Sequence, residues 1–198
     1  MLLQDKLGDY QIVLASQSPR RQALIKSLDI PYRIFVRKVD EDFPHDLPYD
    51  EVPQYLACKK AEAYKKGFGD NWILITADTV VVLDGQILGK PSTKEDAKDM
   101  LRQLSGRSHE VITGVCLHSA HNERKFKSVS KVWFRELTDE EINYYVDKYE
   151  PLDKAGAYGI QEWIGSVAVE KIEGSYYNVM GLPVHALYRE LLAFLDEI

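Results

Sequence analysis

Apolar and polar positions along the chain fall into short blocks whose period switches between two residues and the helical repeat, the mark of strands interleaved with helices. Tyr10 to Ala15 is a compact, β-favouring apolar run, and Ser18-Pro19 just after it is a helix-start signal. Serine caps the first free amides and proline suits the first helical position. "YRIFVRKV" at 32–39 reads as a strand, "DEDFPHDLPYDEVP" at 40–53 as an acidic loop, and "QYLACKKAEAYKKG" as a helix stopped by Gly67. From 72 to 91, "WILITADTVVVLDGQILGKP" places apolar runs on both sides of Asp84-Gly85, a two-residue hairpin turn, which predicts strand, turn, strand. Thr93 caps the helix "KEDAKDMLRQLSG", and "HEVITGVCLHSA" pairs with "KFKSVSKVWFREL" around "HNER". Thr138 and Glu141 form a capping box for a helix ending near Tyr149. "EPLDKAGAYGIQEW" combines turn formers with charged and amide groups, as a binding loop does. "VAVEKI" reads as a strand, and Pro183 opens a terminal helix with Leu187, Leu191, Phe194 and Leu195 on one apolar face. Strands joined by both crossovers and hairpins predict an α/β fold around a mixed sheet flanked by helices, with ligands at the strand ends.

Composition narrows the function classes. The 198 residues suffice for one domain or two small lobes with a real core, and 45% hydrophobic with 28% charged residues is ordinary for a globular protein. A net charge of −6 argues against a broad grip on nucleic acid, so any bound polyanion is small and held by a local positive cluster. No stretch has the length and character of a membrane span or a signal core, which makes the cytoplasm the expected compartment. Cys58 and Cys116 stand far apart in no metal-ligand spacing and suggest neither a disulfide framework nor a zinc site.

Within that frame a few polar residues stand out. Arg20 and Arg21 fall in a first helical turn, the wrong end for positive charge if helix stability alone mattered. Free amides, helix dipole and two guanidinium groups together suit a phosphate; the bland alternative is a pair of solvated surface arginines. Asp78 interrupts an otherwise apolar strand, and a carboxylate there needs a cation, a metal or several hydrogen bonds. Lys90, in "GKP" after the hairpin, lets one hairpin deliver an acid and a base to the same end of the sheet. Lys60 in "LACKKAEA" and Glu41 in the acidic loop are weak signals singly, yet Glu41 with Asp78 would suffice for a magnesium shared with a triphosphate.

Taken in order, "LASQSPRRQALI", "VDE", "LACKKA", "TADTVVVLDGQILGKP", "LSGRSHEVITGV", "DKAGAYGIQ" and "VEKIEGSYYNVMGLPV" resemble the Maf family of nucleoside triphosphate pyrophosphatases from about residue 11 to 187, most closely its dTTP- and UTP-hydrolysing branch. The resemblance implies a single Maf-like domain over 1–198, with an elongated mixed sheet and two lobes around a deep cleft, similar to the inosine triphosphate pyrophosphatase fold. It implies metal-assisted hydrolysis, with Mg or Mn, between the α and β phosphates to give a monophosphate and pyrophosphate. Asp78 matches the family's proton acceptor. Ser16, Arg20, Arg21, Lys60 and Lys90 match phosphate-binding positions, and Glu41, with Asp78, matches the metal position. Arg20, Thr79 and Gln161 match the positions that accompany dTTP/UTP preference. A homodimer is the family's expected assembly, and a small-molecule nucleotide its partner.

His109, in "HEV", is read as a supporting strand-end histidine rather than a base. Two rival functions remain open on sequence alone. One is a nucleotide-binding regulator linked to cell division and septum formation, which need not retain Asp78. The other is a phosphatase removing only the terminal phosphate.

Overall fold

The computed structural model describes residues 2–64 and 69–198; Gly67, the expected helix stop, lies outside the described residues. The architecture is mixed α/β, as predicted. Among the described residues seven strands form a sheet in the order β2-β1-β3-β5-β6-β7, with β4 paired to β3. The strands are β1 (Gln11–Leu14), β2 (Tyr32–Ile34), β3 (Trp72–Leu83), β4 (Gln86–Leu88), β5 (Ser108–His118), β6 (Glu123–Phe134) and β7 (Val169–Glu173). The helices are α1 (Leu3–Leu7), α2 (Pro19–Lys26), α3 (Val52–Glu62), α4 (Lys94–Leu104), α5 (Asp139–Tyr149), α6 (Trp163–Ala168), α7 (Tyr176–Met180) and α8 (Val184–Leu195). No described helix is long and apolar enough to cross a membrane.

The chain divides into two compact units, the first made of Met1–Asp78, Thr113–Ser128 and Gly181–Ile198, the second of Thr79–Ile112 and Val129–Met180. In the first, β1 runs parallel to β2 and to the start of β3, with Val13 opposite both Arg33 and Leu74. Parallel neighbours need crossovers, which α2 and α3 supply. Val13, Leu74, Cys116 and the α3 residues Ala57 and Ala61 form a buried cluster. The helix sits so close to β5 that a Cβ on Gly114 would stand 2.2 Å from the Gln54 backbone nitrogen. Only glycine admits that approach.

In the second unit β4 folds back on β3 through Asp84 and Gly85, whose φ angles of 50° and 77° are those of the expected hairpin turn. The predicted caps are present: Thr93 with Asp96 on α4, and Thr138 with Glu141 on α5. Leu101, Leu104, Ile142, Val146, Ile164 and Val132 share the core here. Some boundaries move. The strand expected over 32–39 is β2, which stops at Ile34 because its partner β1 ends opposite it at Leu14. The turn between β5 and β6 closes at Ser119–Asn122, where Ser119 N–H donates to the Asn122 carbonyl, ahead of the expected "HNER". "VAVEKI" is helix before it is strand, because Ile164 and Ala168 turn into the core as α6 and β7 starts only at Val169.

Candidate active site

The first unit gathers six of the singled-out residues: Ser16 and Glu41 on loops, Arg20 and Arg21 on α2, Lys60 on α3 and Asp78 on β3. Ser18 caps α2 as expected: its Oγ accepts from the Arg21 N–H at 3.4 Å, with Pro19 in the first position. Ser16, buried, accepts the Ser18 N–H at its own Oγ at 3.2 Å, which orders the turn between β1 and α2. Arg21 Nε donates to the Gly181 carbonyl at 2.7 Å and Nη1 to the Ala77 carbonyl at 2.8 Å. The guanidinium is therefore braced against the backbone next to Asp78. Burial pulls its pKa below the usual arginine value; the charges of Asp78 and Glu41 oppose that shift and Arg20 adds to it. Arg20 is half-buried beside it in the first turn of α2.

β3 is buried along its length except at Trp72, Asp78 and Thr79, so the break in its apolar pattern is also a break in its packing. Thr76 Oγ1 donates to the Ala57 carbonyl at 2.7 Å, tying β3 to α3. Side chains two apart on a strand share a face, and three residues on is about one helical turn. Asp78 and Lys60 meet by those two steps, with Lys60 Nζ 2.6 Å from Asp78 Oδ1. The same ammonium stands 2.7 Å from Glu41 Oε1. The adjoining pair, Lys59 and Asp42, also forms an ion pair, so "DED" of the acidic loop is docked on "KK" of the helix. Lys127 holds the far part of that loop through Asp50 at 2.6 Å. What looked like a solvated lysine face is the seat of the acidic loop.

Thr79, Lys90 and Gln161 belong to the second unit: Thr79 is half-buried, Lys90 and Gln161 exposed. The loop carrying Gln161 is joined to the segment carrying Lys90, since Gly156 N–H donates to the Gly89 carbonyl at 3.1 Å. Gly156, at φ 66°, also leaves room for Val81, whose nearest methyl carbon would lie 2.9 Å from a Cβ there. Sequence reasoning passed over the group that holds this loop. Tyr145 donates to Glu162 Oε2, Lys154 Nζ lies 3.2 Å from Glu162 Oε1, and the Gly159 N–H donates to the Tyr145 oxygen at 3.0 Å. Burial, and then the neighbouring Glu162, push the Tyr145 pKa up, so it remains a phenol donor. The signal in the sequence was the charged pair Lys154 and Glu162 inside an otherwise turn-forming stretch.

His109 is the supporting residue expected. It is buried, its Nε2 is 2.7 Å from the Tyr158 hydroxyl, and its ring meets Phe134 edge-on. Burial lowers its pKa to about 4, so it is neutral at ordinary pH.

A family model described as Maf-like protein matches residues 11–194. The chain belongs to the Maf family. It is similar, at 55% identity over 193 residues (96% of this chain, 97% of the other), to a Porphyromonas gingivalis protein named dTTP/UTP pyrophosphatase. A Bacteroides thetaiotaomicron protein of the same name is 53% identical over 93% of this chain and 96% of its own. A third, from Christiangramia forsetii, is 46% identical over 99% of this chain and all of its own, 100%. Among solved structures, the Staphylococcus aureus Ham1 protein aligns at TM-score 0.44 and 15% identity over 63% of this Maf-family chain and 71% of its own.

Proposed function

We propose that this Maf-family chain hydrolyses dTTP and UTP between the α and β phosphates, releasing a nucleoside monophosphate and pyrophosphate. The observation that carries the reading is the ion triad: one ammonium, Lys60, held by two carboxylates, Glu41 and Asp78, beside the braced Arg21. The relatives named dTTP/UTP pyrophosphatase, at 46–55% identity over nearly the whole chain, support the substrate class. A regulator that only bound nucleotide would have no need of Asp78 placed against a lysine in the interior of β3.

The family resemblance implies a divalent metal, and the donor set fits one: two carboxylate oxygens already converge on a single cation, and hard oxygen donors suit Mg²⁺ or Mn²⁺. Glu41 and Asp78 would hold it, and bound there it would offset phosphate charge and acidify water. In this reading Lys60 leaves the carboxylates for the phosphates when substrate arrives, and Asp78, released from its ion pair, accepts the proton of the attacking water. Arg21 keeps Ala77, and hence Asp78, in position while contributing fixed positive charge. Ser16, Arg20 and Arg21 make up the phosphate cradle of the first unit, with the amides of the α2 N-terminus. In the second unit Lys90 matches the family position for the departing pyrophosphate, and Thr79 and Gln161 match positions that accompany base preference; Arg20, in the first unit, matches a third. The Gln161 amide offers an acceptor for a pyrimidine N3–H and a donor for the neighbouring carbonyl, a pattern cytosine does not match. The compartment is read as the cytoplasm and the assembly as a homodimer, which sedimentation would measure.

The test is a product-resolved assay of the purified chain with Mg²⁺ or Mn²⁺ against dTTP, UTP, CTP, dATP, GTP and 7-methyl-GTP. Monophosphate and pyrophosphate from dTTP and UTP are expected. Orthophosphate with a nucleoside diphosphate, or binding without turnover, would overturn the reading.

A further inference from the structure

Away from the triad, the first unit brings together three metal-binding side chains that the sequence keeps far apart. Cys58 lies on α3, Cys116 on β5 and Glu123 at the start of β6, and their Sγ and carboxylate oxygen atoms all fall within 4.8 Å of one another. The sequence spacing of the two cysteines suggests neither a disulfide framework nor a zinc site; a helix and a hairpin distant in sequence nevertheless deliver them to one spot. Cys116 is buried and Cys58 half-buried, while the Glu123 side chain is 38% exposed. The cluster is thus dry at its sulfur end and open to solvent at its carboxylate end.

We propose that Cys58, Cys116 and Glu123 form a binding site for a thiophilic divalent cation, Zn²⁺ above all. Two sulfurs and one carboxylate oxygen make a borderline-soft donor set that suits Zn²⁺ and does not suit Mg²⁺ or Ca²⁺. Ligands bonded at about 2.3 Å to a tetrahedral zinc stand roughly 3.8 Å apart, so closing the site needs side-chain shifts of about an ångström and no movement of backbone. Three protein ligands leave a fourth position for water on the exposed side. His118, two residues after Cys116 on the same face of β5, has its Nδ1 3.6 Å from Glu123 Oε2, just beyond hydrogen-bond distance. Binding releases two thiol protons to solvent and changes no oxidation state. A bound ion would fasten α3 to the β5–β6 hairpin at a point two residues from Lys60.

The experiment titrates the reduced full chain, under anaerobic conditions, with Co²⁺ as an optical stand-in and then with Zn²⁺. Expected is a thiolate-to-cobalt charge-transfer band that saturates at one Co²⁺ per chain and is bleached by Zn²⁺. Cys58→Ser should abolish the band, and Glu123→Gln, an exposed change that spares the fold, should weaken Co²⁺ binding by at least tenfold. Circular dichroism checks that both variants fold. A metal held by Glu41 and Asp78 gives no sulfur band, so the outcome is independent of the proposed hydrolase activity. Absence of the band at stoichiometric Co²⁺, or its survival in Cys58→Ser, would overturn the proposal. So would a chain that shows no band but, given hydrogen peroxide, loses both thiols and two hydrogens of mass, since the pair would then be a redox couple.

Discussion

Replacing Lys60 by methionine tests whether its ammonium occupies the place of a metal ion. The change keeps length and apolar volume and removes only the charge that holds Glu41 and Asp78 together. Removing one partner of a fully buried ion pair costs about 3–5 kcal/mol. The Asp78 side chain is only 13% exposed, but that of Glu41 is 47% exposed, so water screens part of the loss and about 2 kcal/mol is the expected destabilisation. For a chain of this size that lowers Tm by roughly 4–8 °C. Divalent metal should act in the opposite direction. In the parent chain Mn²⁺ or Mg²⁺ must displace the lysine; in Lys60→Met the two carboxylates are left facing each other and take the ion directly. At tenfold above its Kd the ion restores about 1.4 kcal/mol, most of what was lost. Differential scanning fluorimetry of both chains, with and without Mn²⁺, reads the result. A Lys60→Met chain that unfolds at the parent's temperature, or that gains no more from Mn²⁺ than the parent does, would refute the argument.

Four further outcomes are expected. Asp78→Asn should cut kcat on dTTP by about 10²–10⁴-fold, the range for loss of a general base, and leave nucleotide Kd within a few-fold; full turnover would remove Asp78 from the chemistry. Gln161→Glu removes the amide donor from an exposed position, so the kcat/KM ratio of UTP over CTP should fall with no change in Tm, and an unmoved ratio would defeat the base-reading role. His109 is held near a pKa of about 4 when folded, against about 6.5 when unfolded, so the unfolded chain binds more protons between those values. Its contribution is complete above pH 6.5 and is lost as pH falls toward 4; urea midpoints at pH 7, 6 and 5 should show that decline, flattened in His109→Gln. Gly114→Ala should cost about 1–3 kcal/mol in urea unfolding, because the new methyl group collides with the backbone at Gln54.

Legibility in the sequence followed the range of the interactions concerned. Ser18, Thr93 and Thr138 announced their helices because a cap binds an amide three residues on, and Asp84-Gly85 announced its hairpin because the turn satisfies itself. The helix α6 was missed because Val167 and Val169 favour a strand locally while the buried Ile164 and Ala168 decide otherwise. The lysines of α3 gave least away. Nothing near residues 59 and 60 says that Asp42 and Glu41 will lie across from them; the pairing exists only once the acidic loop returns over the helix. The two cysteines were equally silent, since contact between α3 and β5 spans some 58 residues of chain, the separation of Cys58 from Cys116.

Those silent contacts converge on α3. Its first turn rests directly on Gly114, its middle is bonded through the Ala57 carbonyl to Thr76, its Cys58 faces Cys116, and its last turn presents Lys60 to Asp78. A helix restrained at so many points moves little as a body, so the proposed exchange of lysine for metal between the carboxylates would need only the rotation of one flexible side chain over a fixed scaffold. Such an exchange would leave the backbone next to Asp78 in place, because Arg21 holds the Ala77 carbonyl from behind. In the resting chain Lys60 gathers the two carboxylates; on the proposed reading Glu41 and Asp78 would hold a divalent ion in its place, and the ammonium would turn to the phosphates.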